Sequence, residues 1–378
     1  MDRESVIGLL SDLVSIDSVN PSLSSSHPGE LELANYLKGW FGERGFPYKE
    51  QKVTDGRNNL IARLGSGERK LLIVSHMDTV GIDTMTIPPF DPRIDGDLLY
   101  GRGSADTKGG MAATLLALEE LLDRELPGEI IFAATMDEEF EAVGVDRLVE
   151  EVTADAAIVI EPVDMKAVVA HKGFAWIEFD VRGRAAHGSD IKFGIDAIIG
   201  CGILLARLRE LQGKISPRIH DLLGPASLHA SQIFGGEGWS TYPASCRLRV
   251  ERRTLPHETE PDIQEELDEM ISSLRKEGID IDGKIIFFRS GTEISPDEEV
   301  VRSLISAAHS NGIEIQLGGM QGWPEAGILN QSGIPSVVFG PSGCKGHEAV
   351  EFVSIESVLA CSRIIKQTAL EFISSPGP

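Results

Sequence analysis

At 378 residues the chain is too long for one ordinary hydrophobic core, and with 42% hydrophobic residues it can fill two. A formal charge of -24, with no basic stretch to offset it, argues against nucleic acid or an anionic membrane as partner. No apolar run approaches the roughly 20 residues that span a bilayer, and Met1-Asp2-Arg3-Glu4 lacks the positive flank and apolar stretch of an export signal, so a cytoplasmic protein is expected. Cys201, Cys246, Cys344 and Cys361 are far apart and form no Cys-x-x-Cys pair, which favours reduced thiols over disulfides or a thiolate metal site.

Apolar residues at helical spacing predict helices over 5–16 and 30–41, with Pro28-Gly29 as the turn before the second. Between them Asn20-Pro21-Ser22-Leu23-Ser24-Ser25-Ser26-His27 is a polar loop long enough to reach over a site. Three short apolar runs, 71–74, 130–134 and 156–160, read as buried parallel strands. They lead into His76-Met77-Asp78, Asp137-Glu138-Glu139 and Glu161-Pro162. Open α/β sheets bind ligands beyond the carboxyl ends of their strands, so the three runs would deliver imidazole and carboxylate groups to one place. A helix over 107–122 carries Gly109-Gly110 at its start, where small residues let the turn approach the sheet, and Asp106 falls at its N-terminal edge.

From about residue 167 the texture changes. Clean alternation over 176–181 and 247–251 predicts a half-exposed antiparallel sheet, and helices over 196–211 and 261–276 complete a strand-helix-strand-strand-helix-strand insert. After 290 the α/β pattern resumes with a helix over 297–309, a strand over 336–339 and a closing helix over 355–372. The expected architecture is α/β: a discontinuous metal-binding catalytic domain, 1–166 and 291–378, has a mixed or mostly parallel sheet flanked by helices. An inserted α+β domain, 167–290, has an antiparallel sheet.

The chemistry lies in His76, Asp106, Glu138-Glu139, Glu161 and His347, histidines and carboxylates placed at strand ends or in Gly-rich turns. Zinc accepts imidazole nitrogen and carboxylate oxygen, and a pair of such ions needs about five protein ligands with one carboxylate shared. Taken singly, such a histidine is more often a structural residue and such an acidic pair is usually a solvated loop. Together, and in this order, these five segments carry the reading of a two-metal hydrolytic site. His27, His220, His229, His257 and His309 lack that context and read as surface or structural residues.

The runs Ser75-His76-Met77-Asp78-Thr79-Val80, Gly101-Arg102-Gly103-Ser104-Ala105-Asp106-Thr107-Lys108-Gly109-Gly110, Asp137-Glu138-Glu139, Glu161-Pro162, Ala185-Ala186-His187-Gly188-Ser189 and Gly346-His347-Glu348 resemble the dinuclear zinc amidohydrolases and peptidases. That family includes acetylornithine deacetylase, succinyl-diaminopimelate desuccinylase, aminoacylase and carboxypeptidase G, and the resemblance covers nearly the whole chain. It implies two divalent ions, zinc with cobalt or manganese as alternatives. Asp106 would bridge them, His76 and Glu161 would complete one site, and Glu139 and His347 the other. Glu138 would be the general base, taking a proton from the metal-bridging water, whose hydroxide attacks, and returning it to the departing amine. Asp78 would hydrogen-bond the His76 imidazole and fix its tautomer.

The same resemblance implies a homodimer held by the insert. His187 would reach the neighbouring subunit's site to stabilise the oxyanion, and Arg253 would grip a substrate carboxylate. For His187 a backbone-satisfying turn residue, and for Arg253 a surface salt bridge, are the plainer alternatives. Gly235-Gly236-Glu237-Gly238 reads equally as a ligand-approaching turn or a plain loop. The loop 340–346 resembles the family's substrate-side loop, with Cys344 near the site but not a nucleophile. One departure concerns substrate: where relatives place an Asp after a Gly-Gly pair, this chain reads Gly318-Gly319-Met320-Gln321-Gly322-Trp323-Pro324-Glu325-Ala326, with Glu325 as the candidate substitute and Trp323 as an apolar wall.

The function so implied is hydrolysis of the amide bond of a small N-acyl amino acid or acylated amine. A dipeptidase or carboxypeptidase with the same site is the alternative, and a non-catalytic metal-binding homologue is a third reading, disfavoured because Glu138 is present.

Overall fold

The computed structural model describes residues 1–344 and 346–376, and the chain divides into two compact units. The first comprises Met1–Val169, Ile294–Gly318 and Pro324–Pro378; the second comprises Ala170–Glu293 and Gly319–Trp323. The short return of Gly319–Trp323 to the second unit was not legible in the sequence. Its cause is hydrogen bonding: Lys172 N–H donates to Met320 O at 3.2 Å, Gln321 Nε2 to Leu223 O at 2.9 Å and Trp323 Nε1 to Ser290 O at 3.0 Å.

In the first unit a mixed sheet runs in the order Tyr48–Thr54, Arg57–Gly65, Glu129–Thr135, Lys70–His76, Ala156–Ile160 and Ser336–Phe339. Lys70–His76 is parallel to both its neighbours, and Ser336–Phe339 extends the parallel run beside Ala156–Ile160. The hairpin Tyr48–Thr54 and Arg57–Gly65 joins antiparallel, turning at Asp55-Gly56. Every residue of Glu129–Thr135 and Ala156–Ile160 is buried, as strands covered on both faces must be.

The helices that supply this cover follow from local signals. Asp2 caps Arg3–Ser15 by accepting the Ser5 N–H, and Val6, Leu9, Leu10, Leu13 and Val14 form its buried stripe. Ser354 caps the closing helix Ile355–Ser374 in the same way. Gly109–Glu119 is buried along almost its whole length. A Cβ at Gly110 would lie 2.1 Å from Ile160 Cγ2, so glycine here is what lets the helix seat against the strand that leads to Glu161.

The second unit has a four-stranded antiparallel sheet in the order Ser227–Gly235, Ser245–Thr254, Gly173–Arg182 and Asp280–Arg289. Helices Ala197–Ile215 and Glu260–Lys276 cover one face, packing Cys201, Leu204, Leu208, Ile263, Leu267 and Ile271 on Ala175, Ile177, Phe179 and Val181. Asp196 caps the first helix, and Thr259 with Asp262 forms a capping box on the second. All four cysteines are free and buried. Among the described residues no helix is long and apolar enough to cross a membrane.

Candidate metal centre

His76 is the last residue of Lys70–His76. Glu138 and Glu139 follow Glu129–Thr135, and Glu161 follows Ala156–Ile160. Because these three strands are adjacent and parallel, their carboxyl ends open on one edge of the sheet.

The sequence predicts Asp106 at the edge of a helix beginning at 107, but the helix begins at Gly109. Ser104–Lys108 forms a wider turn in which Asp106 (φ -116°, ψ 91°) is extended, and the Asp106–Thr107 peptide is cis. Extended backbone at Asp106 takes its side chain off the helix surface and into the site. His347 comes from the loop after Ser336–Phe339, with positive φ of 57°. Its neighbour Gly346 sits so close that a Cβ there would lie 2.4 Å from Asp106 Oδ2. Lys345, in the same loop, lies outside the described residues.

Among the described residues three groups of three have their candidate ligand atoms within 4.8 Å of one another: His76, Asp106 and Glu161; Asp106, Glu139 and His347, which shares Asp106 with the first; and His76, Glu138 and Glu139. Asp106 Oδ1 faces His76 Nε2 at 3.1 Å, and Asp106 Oδ2 faces His347 Nε2 at 3.7 Å. Glu139 Oε2 lies 2.9 Å from His347 Nε2, whereas its Oε1 is buried with no hydrogen-bond partner. Glu138 Oε2 is 3.9 Å from His76 Nε2.

Negative charge dominates here. Burial would pull the His76 imidazole down, but the Asp106 hydrogen bond and the charges of Glu138 and Glu161 hold it well above its usual range. His347 is pushed up to about 9, chiefly by its hydrogen bond to Glu139. Burial, reinforced by neighbouring carboxylates, holds Glu138 and Glu161 well above the carboxylate range. Imidazole and carboxylate donors, an orphaned buried oxygen on Glu139 and uncompensated acidity together fit divalent cations.

Asp78 behaves differently from the sequence expectation. The His76 Nδ1 hydrogen bond goes to the Asp78 main-chain carbonyl at 2.9 Å, while the carboxylate is 3.7 Å away. That carboxylate instead accepts the main-chain N–H groups of Glu138 at 3.1 Å and Glu139 at 3.0 Å. Met77 N–H donates to Thr135 O at 2.8 Å, which carries the parallel pairing one residue past His76 and holds the chain that leads to Asp78.

Glu325 is buried in this unit and accepts from Thr135 Oγ1 at 2.9 Å. Burial pushes its carboxyl up to about 7, with His76 and Thr135 opposing. Trp323 belongs to the second unit, where it packs edge-on to Phe174 with ring centroids 6.0 Å apart. His187 and Arg253 also lie in the second unit. His187 is exposed, with Nδ1 2.8 Å from Ser189 Oγ; Arg253 pairs with Glu251 at 2.6 Å and stacks over Phe174 at 5.3 Å.

Sequence reasoning missed several supporting residues. Glu351 and Arg102 form a fully buried ion pair of 2.6 Å. Arg57 pairs with Glu30 at 2.5 Å and with Asp137 at 3.1 Å. Asn20, one polar residue in a serine-rich loop, offered no signal beyond the loop's length.

The model of peptidase family M20/M25/M40 matches residues 72–371. An acetylornithine deacetylase of Pectobacterium carotovorum subsp. carotovorum is 28% identical over 98% of this chain and 99% of its own length. One from Myxococcus xanthus is 28% identical over 96% of both. Among solved structures, a tripeptidase from Staphylococcus aureus superposes with a TM-score of 0.83 at 24% identity, over 99% of this chain and 100% of that one. An M20 family metallo-carboxypeptidase from Sulfolobus solfataricus gives 0.81 at 19%, with the same coverage. At these identities the two structures speak for the fold alone.

Proposed function

The chain belongs to peptidase family M20/M25/M40 and is a metal-dependent hydrolase, and from that premise we propose that it cleaves the amide bond of a small N-acyl amino acid at a site for two divalent ions. The observation that carries this reading is Asp106, whose two carboxylate oxygens face two different histidines. His76 and Glu161 would complete one ion's ligands, and Glu139 and His347 the other's. Zinc suits this nitrogen and oxygen donor set.

Bound ions would supply Lewis-acid polarisation of the scissile carbonyl and a lowered pKa for the attacking water. Glu138 is largely shielded from water beside His76 and among other carboxylates, which raises its affinity for a proton. Its carboxylate takes the proton from the attacking water, and its carboxyl returns it to the departing amine nitrogen. The Asp78 carbonyl holds the proton of His76 on Nδ1, leaving Nε2 as the donor atom. Full-length likeness to acetylornithine deacetylases supports an N-acyl amino acid as substrate. Arg253 would grip its carboxylate.

We further assign the second unit to homodimerisation. Ser227–Gly235 is an edge strand exposed along most of its length, with Ile233 and Phe234 about half exposed. Ile198, Ile199 and Ile203 are exposed on the helix Ala197–Ile215. An open strand edge beside exposed apolar side chains suits a second copy of the same surface. His187 would then serve the neighbouring subunit's site.

The test is amide hydrolysis by metal-stripped and by zinc- or cobalt-restored protein against N-acyl amino acids, their uncharged amide analogues and dipeptides, with metal content measured in parallel. Turnover restored by metal and greatest on N-acyl amino acids is expected. Turnover of dipeptides alone would replace the deacylase reading with the peptidase one, and absence of metal binding would overturn both.

A further inference from the structure

The polar loop after the first helix contributes one side chain to the interior beneath the metal centre. Asn20 is fully buried, and its carboxamide NH2 donates to two carboxylates, Asp78 Oδ2 at 2.7 Å and Asp137 Oδ1 at 3.1 Å. Only the donor end of the amide can face two acceptors, which fixes its orientation. Its Oδ1 accepts the Ser22 N–H at 2.9 Å, and its main-chain N–H donates to Thr79 O at 2.9 Å.

Both partners of that amide act on the same turn. Asp78 accepts the N–H groups of Glu138 and Glu139. Asp137 begins the turn with positive φ of 71°. Its carboxylate is also held by Arg57, and its N–H donates to Glu30 at 3.2 Å. Two buried carboxylates brought this close repel one another unless a donor stands between them. Asn20 is that donor.

We propose that Asn20 is a positioning residue: by bridging Asp78 and Asp137 it fixes the turn that presents Glu138 and Glu139. This rests on the two-metal reading above. The plainer alternative, an asparagine that merely anchors its own loop, predicts loss of stability without a change in either glutamate's work.

Asn20→Asp separates the two, because it keeps the shape, removes both donors and adds a third carboxylate. Zinc binding to apoprotein is followed by titration calorimetry, with melting temperature, kcat and KM measured beside wild type. The expected result is one weakened zinc equivalent, by about 10- to 100-fold, and a fall in kcat of similar size with little change in KM. Should Asn20→Asp not fold, Asn20→Ser, which keeps one donor, carries the same comparison with smaller expected effects. Wild-type zinc binding and kcat in a folded variant would overturn the assignment, as would a fall in melting temperature alone. Failure of wild type itself to bind two zinc ions would instead overturn the two-metal reading.

Discussion

Glu351 holds Asp106 by the main chain: its Oε1 accepts the Asp106 N–H at 3.1 Å, and the Ala105 N–H at the same distance. Its other oxygen pairs with Arg102 at 2.6 Å, where both side chains are 1% exposed. Arg102 in turn donates to Gly81 O at 3.0 Å. The turn carrying Asp106 is thus tied down by an ion pair buried from water.

Removing one partner of such a pair leaves the other's charge buried and unpaired. Glu351→Ala is expected to destabilise the metal-free protein by about 3–5 kcal/mol. Urea denaturation of wild type and variant measures this, and a loss below about 1 kcal/mol would mean that Arg102 finds another partner.

Glu138→Gln keeps the shape of the side chain and removes its proton chemistry. Metal content is expected to stay at the wild-type level while kcat falls by about 100-fold or more. Elemental analysis beside steady-state kinetics decides the matter; retained turnover would remove Glu138 from the mechanism.

The two ligand groups predict different stoichiometries. Asp106→Asn weakens both, so equilibrium dialysis against zinc is expected to show loss of both equivalents. Glu161→Gln touches one group and is expected to spare the ion held by Glu139 and His347. Equal losses in the two variants would contradict separate groups with one shared member.

If His187 serves the neighbouring subunit, two inactive variants can complement one another. Glu138→Gln and His187→Ala protomers, mixed through a dissociation and reassociation cycle, are expected to regain activity, because one site of the mixed dimer keeps both groups. If His187 acts within its own subunit, no site in the mixture is intact and activity stays flat.

His171 gives the second unit a pH dependence. Burial pulls its imidazole down from 6.5 to about 4, with the hydrogen bond to Lys172 O opposing. Between those values the unfolded chain binds more protons than the folded one. The contribution is therefore full above about pH 6.5 and is lost as pH falls towards 4, on the order of 3 kcal/mol. His171→Gln is expected to flatten the dependence of the denaturation midpoint between pH 7 and pH 4.5 relative to wild type; parallel curves would contradict the assignment.

Much of the first unit could be read from runs such as 130–134 and 156–160, because strands buried on both faces leave unbroken apolar stretches. The candidate ligands could be picked out for the same reason: His76, Glu138-Glu139 and Glu161 each lie within a few residues of the end of such a run. The hairpin at Asp55-Gly56 had a turn signal, but Tyr48–Thr54 is largely exposed and offers little apolar patterning. Three-residue strands such as Arg93–Asp95 and Leu98–Tyr100 are too short for any period. Asn20 and Glu351 were missed because their importance lies in hydrogen bonds to residues 58 and 245 or more positions away. No local pattern encodes such pairings.

The ligand groups also differ in when the chain can complete them. His76, Asp106 and Glu161 all precede the second unit, and their strands Lys70–His76 and Ala156–Ile160 pair directly with each other. Asp106, Glu139 and His347 span it. A ribosome has therefore synthesised every residue of the first candidate group before it begins the intervening unit, whereas the second group waits for nearly the last of the chain. The two positions, alike in chemistry, are unequal in birth order.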